Sequence, residues 1–435
     1  MPPIAGIKRS RLGLFQLKVV GDPSPEAWSR VHRYASWMHQ LRRDGRCVLG
    51  GDTLRKLCLN SPAGGWFPAL KDLSWSIAEC NIQHIDLFFS PHLESISIDP
   101  SYSWINSEVP QSVPPILASA ISTLPAPSLQ SLLVDICHPD IHLGYFKVSL
   151  SSIILRCGPP LSQFASTIPL LDAAVNHLIH LPHLRILRIE GPPPSYSTSS
   201  LPLVFPPLVE FTLVDGTARG WLSLLERLEH SVPATQSATP LSKTKESLES
   251  LIIGSSLGPV IIDISLVSVI QIFRNLVCLT IEAYCDNEDD EGKCAFEFDD
   301  DDITKLAMAL PRLRALILGS PCSENTCATT AACLLQISVH CIELEKLEIH
   351  FNTTNIVDDL KNISEDPRFQ ELRSLPRCTL WCLDVDQIPL DLDEPAGPEA
   401  VAKGMVDIFP SLVHCSGFDE VWDTISGGIA RLRGG

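Results

Sequence analysis

Three histidines, His177, His180 and His183, stand at spacings that metal ligands use. His177 and His180 share one face of a predicted helix, but Pro182 ends that helix before His183. His138 and His142 flank Pro139 in a predicted loop, and neither cluster is read as a metal site. The run Asp286 to Gly292, with Glu297 at the twelfth position, is acidic enough for a calcium loop. Such a loop turns on a glycine at its sixth position; Glu291 stands there and Gly292 comes one residue late. The run is therefore read as a solvated acidic loop. No phosphate-cradling glycine loop and no His-Glu-x-x-His motif occurs. The sequence assigns no catalytic residue, no metal ligand and no cofactor, and the expectation is a protein that is not an enzyme.

What recurs instead is apolar. Leu313-Arg-Ala-Leu316-Ile-Leu318 reads Leu-x-x-Leu-x-Leu, with Pro311 two residues ahead. Comparable units open at Leu54, Leu70, Leu93, Leu129, Leu184, Leu208, Leu248, Leu276 and Leu344. The proline recurs at Pro68, Pro91, Pro127, Pro182 and Pro206, and Pro410 stands before Leu412. In the Leu-x-Leu half, alternate side chains point to one face of a strand, and the leading leucine reaches the same core from the turn before it. Proline cannot continue a helix, so it marks where the preceding helix stops. One such unit cannot bury its own apolar face; stacked neighbours can.

The segments between units carry helical periodicity. Ser24 and Pro25 open a predicted helix over about 26 to 42, with Trp28, Val31, Ala35 and Met38 on one face and Tyr34, Trp37 and Leu41 widening it. Asp302 is placed as the cap of a helix burying Ile303, Leu306, Ala307 and Leu310. Trp221, Leu224, Leu225 and Leu228 form another stripe, and Val401, Met405 and Ile408 a last one. Alternating strand and helix signals give an α/β leucine-rich-repeat solenoid, an irregular horseshoe with parallel strands on the concave face and helices on the convex one. The array is uneven: 55 residues separate Leu129 from Leu184, where Val148 to Leu155 is read as an eroded strand, and the pattern fades after about residue 350. The expected organisation is an N-terminal cap over 1–50, repeats over 51–420 with loops near 191–200, 231–247 and 286–302, and a C-terminal tail over 421–435.

Charge narrows the partners. The 435 residues hold 51 acidic against 33 basic side chains, a formal charge of -18. Phosphate backbones and anionic membranes repel such a surface, so neither nucleic acid nor membrane is expected as a partner. The 15 cysteines include no Cys-x-x-Cys pair, and several, such as Cys58, Cys137 and Cys278, fall at apolar positions of the pattern. Reduced thiols used as small hydrophobes point to the cytoplasm or nucleus. The longest apolar run, Val260 to Phe273, contains Asp263 and is shorter than the roughly 20 residues a bilayer requires.

Asp22-Pro-Ser-Pro-Glu-Ala-Trp28, Tyr34-Ala35 and the Pro-x-Leu-x-x-Leu-x-Leu units together resemble the repeat region of fungal F-box proteins of the basidiomycete type, over most of residues 15 to 420. The resemblance implies recruitment of a protein substrate to a cullin-RING ubiquitin ligase. The F-box itself opens with Leu-Pro-x-Glu, which this sequence lacks, so contact with the ligase adaptor is expected only if an F-box lies upstream. Arg431-Leu-Arg-Gly-Gly435 matches the tail by which ubiquitin is conjugated, but no β-grasp body precedes it, and it is read as coincidence. The expected binding surface is the strand face between core positions, including Arg185, Arg188, Arg314 and Glu348, with a protein substrate held on the concave side.

Overall fold

The structure, a computed structural model, describes residues 5–9, 15–19, 21–43, 47–49, 51–62, 65–77, 82–100, 113–124, 126–136, 144–190, 206–214, 220–222, 224–226, 246–259, 262, 264–284, 296–319, 327–372, 378–385, 397–417 and 420–434. The chain forms two compact units, Met1–Ser199 and Ser200–Gly435.

The strands of the first unit are β1 (Ala5–Arg9), β2 (Phe15–Val19), β3 (Gln40–Arg43), β4 (Cys47–Leu49), β5 (Asp72–Ile77), β6 (Ser95–Pro100), β7 (Ser131–Val134), β8 (Gln163–Ser166) and β9 (Ile186–Glu190). β1, β2 and β4 make a small separate sheet. β3, β5, β6, β7, β8 and β9 lie side by side in that order, every neighbouring pair parallel. The connections hold α1 (Pro25–Ala35), α2 (Gly51–Leu59), α3 (Val113–Ser122), α4 (Gly144–Ile154) and α5 (Asp172–Leu178). The second unit repeats the plan with β10 (Glu210–Val214), β11 (Ser250–Pro259), β12 (Cys278–Tyr284), β13 (Ala315–Gly319), β14 (Lys346–Ile349), β15 (Cys382–Asp384) and β16 (His414–Ser416), again parallel in sequence order. Its helices are α6 (Ile264–Ile270), α7 (Asp300–Ala309), α8 (Ala332–His340), α9 (Ile356–Glu365), α10 (Pro367–Leu372), α11 (Gly397–Ile408) and α12 (Glu420–Gly434). Each unit is thus an open parallel sheet with helical crossovers, the α/β repeat-solenoid class that the leucine spacing predicts.

The register shows why the spelling works. Phe211, Leu251, Leu279, Leu316, Leu347, Leu383 and Cys415 align across the second sheet, and all are buried with the leading leucines from Leu208 to Leu412. Burying each leucine contributes about 1.5–3 kcal/mol. The turn before each strand is held by backbone. The carbonyl of Val277 accepts the N–H groups of Arg314 (2.8 Å) and Ala315 (3.1 Å), and that of Arg314 accepts those of Glu345 (2.8 Å) and Lys346 (3.0 Å). The first unit does the same: Gln130 O takes Ser162 N (2.8 Å) and Gln163 N (3.0 Å). A polar side chain just ahead of the leading leucine often ties neighbouring turns as well. Ser128, Ser247 and Thr379 donate to the carbonyls of Leu93, Leu208 and Leu344.

Several expectations are corrected. Leu54-x-x-Leu57-x-Leu59 lies on α2, where the three-residue spacing is helical; Leu54 is buried and Leu59 exposed. The predicted helix over 26–42 stops at Ala35: the Ser36 N–H still reaches His32 O, but the Trp37 and Met38 N–H groups turn back three residues, to Tyr34 O (3.2 Å) and Ala35 O (3.1 Å); residues 40–43 then become β3. The Ser24 cap is present, accepting from Ala27 N at 3.3 Å. Val148 to Leu155 is no strand. It belongs to α4 and its end, with Phe146, Leu150, Ile153 and Ile154 buried at helical period, and the missing strand is β8, led by Leu161. The pattern also continues past residue 350, as β15 and β16. Asp299, not Asp302, caps α7: its carboxylate accepts the Asp302 N–H at 2.9 Å. Asp300 grips Thr330 through the backbone N–H and the hydroxyl, both at 2.7 Å, so the acidic run is structural at this end. The stripes at Trp221, Leu224 and Leu225 and at Val401, Met405 and Ile408 are buried as expected, while Leu228 lies outside the described residues. So do the loops near 191–200 and 231–245 and the acidic residues 285–295.

The expected tail is a helix. α12 buries Trp422, Ile425 and Ile429, and Arg433 donates to Ser411 O at 2.9 Å. Gly417 takes the core position that the other repeats of the second unit give to Leu, Ile or Val, because the Trp422 indole occupies the space its Cβ would need. Gly417→Ala is expected to lower stability by about 1–3 kcal/mol through that clash, read as a lower urea midpoint at unchanged slope. Asp299→Ala, which orphans the α7 cap, is expected to cost about 1 kcal/mol in the same assay.

Candidate functional site

The candidate site is the strand face of the second unit that points away from the leucine core. Two residues of each strand reach it, one on either side of the second core position, and a third stands in the turn where the strand begins. On β14 these are Lys346, Glu348 and Glu345; on β15 they are Cys382, Asp384 and Trp381. Val413 occupies the turn position before β16 and is bonded to Trp381 O at 3.0 Å. Trp381 is 52 % exposed and Val413 58 %, an apolar pair on adjacent repeats.

Charges surround that pair. The Arg314 guanidinium is hydrogen-bonded to Glu345 on the next repeat through both Nε and Nη2. That bond, then the Glu345 charge, raises the Arg314 pKa against a small opposing effect of burial, with Glu343 adding to the rise. Lys346 and Glu348 pair at 3.0 Å along one strand. Burial alone would lower the Lys346 pKa, but the hydrogen bond and charge of Glu348, with Cys382 and Asp384 beyond, carry it upward. Glu348 and Asp384 stand opposite one another across β14 and β15. The arrangement can hold a partner through an aromatic anchor and exchangeable ion pairs. Cys382 stands opposite Lys346 across the strands, but burial outweighs the lysine charge and raises the thiol pKa, away from an activated thiolate.

Of the four expected surface residues, Arg314 and Glu348 belong to this face. Arg185 and Arg188 lie in the first unit, both exposed, Arg185 in the turn before β9 and Arg188 on β9 opposite Ala165. Sequence reasoning missed Trp381, Cys382, Asp384 and Val413. The signal was there: Leu380-Trp-Cys-Leu383-Asp-Val385 spells a full unit.

The metal readings find no support among the described residues, where no group of three His, Cys, Asp or Glu could hold an ion. His177 Nε2 lies 2.9 Å from Cys157 O, and His180 Nδ1 lies 2.5 Å from Asn176 O. His138, His142 and Asp286 to Gly292 fall outside the described residues, and Glu297 is exposed. Gly254-Ser-Ser-Leu-Gly258 spells Gly-x-Ser-x-Gly, but it runs inside β11 and not at a strand-to-helix turn, so no nucleophile elbow forms.

One cysteine does meet a histidine. Cys58 Sγ lies 3.2 Å from His84 Nδ1. Burial raises the thiol pKa, with Asp86 adding to it, and burial lowers the imidazole. Both shifts favour the neutral pair, the reverse of an activated thiolate. Cys58 and Cys278 are half-buried, contrary to their reading as core residues; Cys278 sits on the strand face. The buried thiols are others. Burial pushes Cys157, Cys341 and Cys415 up to about 12, and Cys333 well above the usual thiol value. A thiol held neutral in the fold but free to ionise once unfolded gives stability that is complete below the ordinary thiol pKa and is lost as pH climbs toward 12. The urea midpoint should therefore fall as pH is raised from 8 toward 11. Iodoacetamide at pH 8 should leave these four cysteines unmodified until urea is added, as read by peptide mass spectrometry.

Comparison of the chain with protein-family models and with curated proteins finds no match. The fold, an α/β repeat solenoid in each unit, is what the structure establishes.

Proposed function

We propose that this chain is a protein-binding repeat protein whose second-unit strand face takes a protein partner, and that it serves as the substrate-recognition part of an F-box-type subunit of a cullin-RING ubiquitin ligase. The observation that carries the binding reading is the exposed Trp381 and Val413 pair set beside Arg314–Glu345 and Lys346–Glu348. An aromatic anchor beside rim charges is how protein interfaces concentrate their energy. The ligase role rests on the resemblance of the repeat spelling and of the Asp22 to Trp28 segment. No helix among the described residues is long and apolar enough to cross a membrane, which agrees with a cytoplasmic or nuclear setting, and the acidic surface favours a protein over a nucleic acid.

Tagged protein, expressed with any upstream coding sequence, should co-purify the ligase adaptor together with a substrate. Trp381→Ala with Val413→Ser should lose the substrate, by tenfold or more on the ~1.4 kcal/mol-per-decade scale, and keep the adaptor. Retention of the substrate by that double variant would reject this face. Absence of the adaptor from every preparation, with the substrate still captured, would leave a repeat scaffold outside the ubiquitin system.

A further inference from the structure

The first unit carries a second surface of a different character. On α1 and its end, Arg30, Arg33, Tyr34 and Trp37 fall at i, i+3, i+4 and i+7, and all four are exposed. Tyr34 is 65 % exposed and Trp37 64 %, with their rings edge-to-face at 6.0 Å. The opposite side of the helix is already packed: Ala35 is buried, and Trp28 and His32 meet Trp66 at ring distances of 5.5 and 4.3 Å. The stripe is therefore surplus to the fold. Beside it the repeat core lies open. Leu41 aligns with Leu73, so Met38 takes the place that Leu70 fills in the next unit; Leu70 is fully buried, and Met38 is 38 % exposed. β3 is the last strand of its sheet and pairs only with β5 among the described residues.

Charge says what would cover this edge. Of the chain's 33 basic and 51 acidic residues, positions 1–60 hold 11 and 4, leaving 22 and 47 for the rest. A chain that is strongly acidic overall is net basic over its first sixty residues, Arg30 and Arg33 among them. The nearby carboxylates are largely engaged: Asp72 pairs with Arg42 at 3.5 Å, Asp22 with Lys56 at 3.2 Å, and Glu26 is held first by a hydrogen bond with Ser24 and only weakly by the charge of Arg30. Arg33 pairs with no carboxylate among the described residues. Two guanidinium groups one turn apart suit carboxylates, and an edge-to-face Tyr–Trp pair beside a half-open methionine suits an apolar side chain between them.

We infer that the Arg30–Arg33–Tyr34–Trp37 stripe, with Met38, is a docking surface for an acidic protein segment that carries an apolar anchor, such as an amphipathic helix rich in Glu and Asp. It is independent of the second-unit face. Nucleic acid would meet the same arginines, but the -18 charge of the whole chain repels a long phosphate backbone, whereas a short acidic segment need touch only this basic edge.

The test uses full-length protein and fluorescence anisotropy at low salt. The probe is a labelled peptide of about 16 residues, Glu and Asp with Leu and Phe at helical spacing, of the kind that lies along a helix or groove. The controls are the same peptide with Lys for every acid and a single-stranded oligothymidine of like length. The acidic peptide should bind saturably and weaken as salt rises, and the controls should not bind. R30E/R33E and Y34A/W37A should each weaken it about tenfold or more, as expected for anchor residues, while Trp381→Ala leaves it unchanged. These side chains are exposed, so thermal unfolding should not move; if a charge reversal disturbs it, R30Q/R33Q replaces that variant. No saturable binding, binding indifferent to both double variants, or oligothymidine binding as tight as the acidic peptide would each overturn the inference.

Discussion

The structure depends on one backbone carbonyl per repeat. The residue that follows each leading leucine offers its C=O to two N–H groups of the next repeat, as Arg314 does to Glu345 and Lys346 and Val277 to Arg314 and Ala315. Those donors sit in a turn pressed between buried leucines, where an unpaired N–H is costly. The bonds set the register before any side chain on the strand face takes part, and each repeat needs the preceding one to complete its turn. The side chain at this position is thereby released from structural duty. The acceptors are His39, Lys71, Glu94, Gln130 and Ser162 through the first unit, and Val209, Glu249, Val277, Arg314, Glu345 and Trp381 through the second. A position fixed by backbone and free in side chain is where a repeat protein can vary what it binds.

The same logic separates the two chain ends of the repeat cores. A stack of open units leaves one apolar face exposed at each end unless something seals it. At the C-terminal end of the second unit the seal is α12. Trp422 fills the place left by Gly417, and the closest approaches of the last helices are made by glycines: a Cβ on Gly428 would lie 2.9 Å from the Ala402 Cβ, and one on Gly404 would lie 2.8 Å from the Leu360 Cβ. In the first unit, β3 ends its sheet with Met38 half-open and Tyr34 and Trp37 uncovered. The helix read from sequence as a cap covers Trp66 with one face and leaves the other to solvent.

The fold was legible because it is written in residues that do one thing. A leucine that must be buried at period two cannot be confused with surface, and every unit from Leu70 to Leu344 lies where its spelling placed it. The errors arose where two periods fit the same letters. Leu54 and Leu57 are three apart in a strand unit and on a helix alike, and Val148 to Leu155 alternates weakly while its true neighbours Phe146, Leu150 and Ile153 follow the helix. β8 escaped because Phe164 and Ser166 replace the expected aliphatics; Ser166 survives in the core by closing its own turn, accepting from Ile168 N at 2.9 Å and donating to Ile168 O at 3.1 Å. The surface was less legible. Arg314 is exposed, but its partner Glu345 comes from a unit 31 residues later, and the turn-position ladder that joins them is a backbone feature with no side-chain signature.

That Arg314 is already paired does not remove it from the proposed binding face. An exposed pair such as Arg314–Glu345 adds little to the fold, because water solvates the separated charges nearly as well. Exchanging it for a partner's carboxylate or guanidinium therefore costs little. Lys346 and Glu348 stand in the same relation, and Asp384 opposite Glu348 adds a negative charge that favours a cation arriving from outside. Apolar area works the other way: Trp381 and Val413 gain from any cover at all, whatever its charge. On this face the apolar pair supplies attraction without choice, and the ion pairs supply choice with little attraction. Recognition needs both, and the register of β13 to β16 puts them side by side.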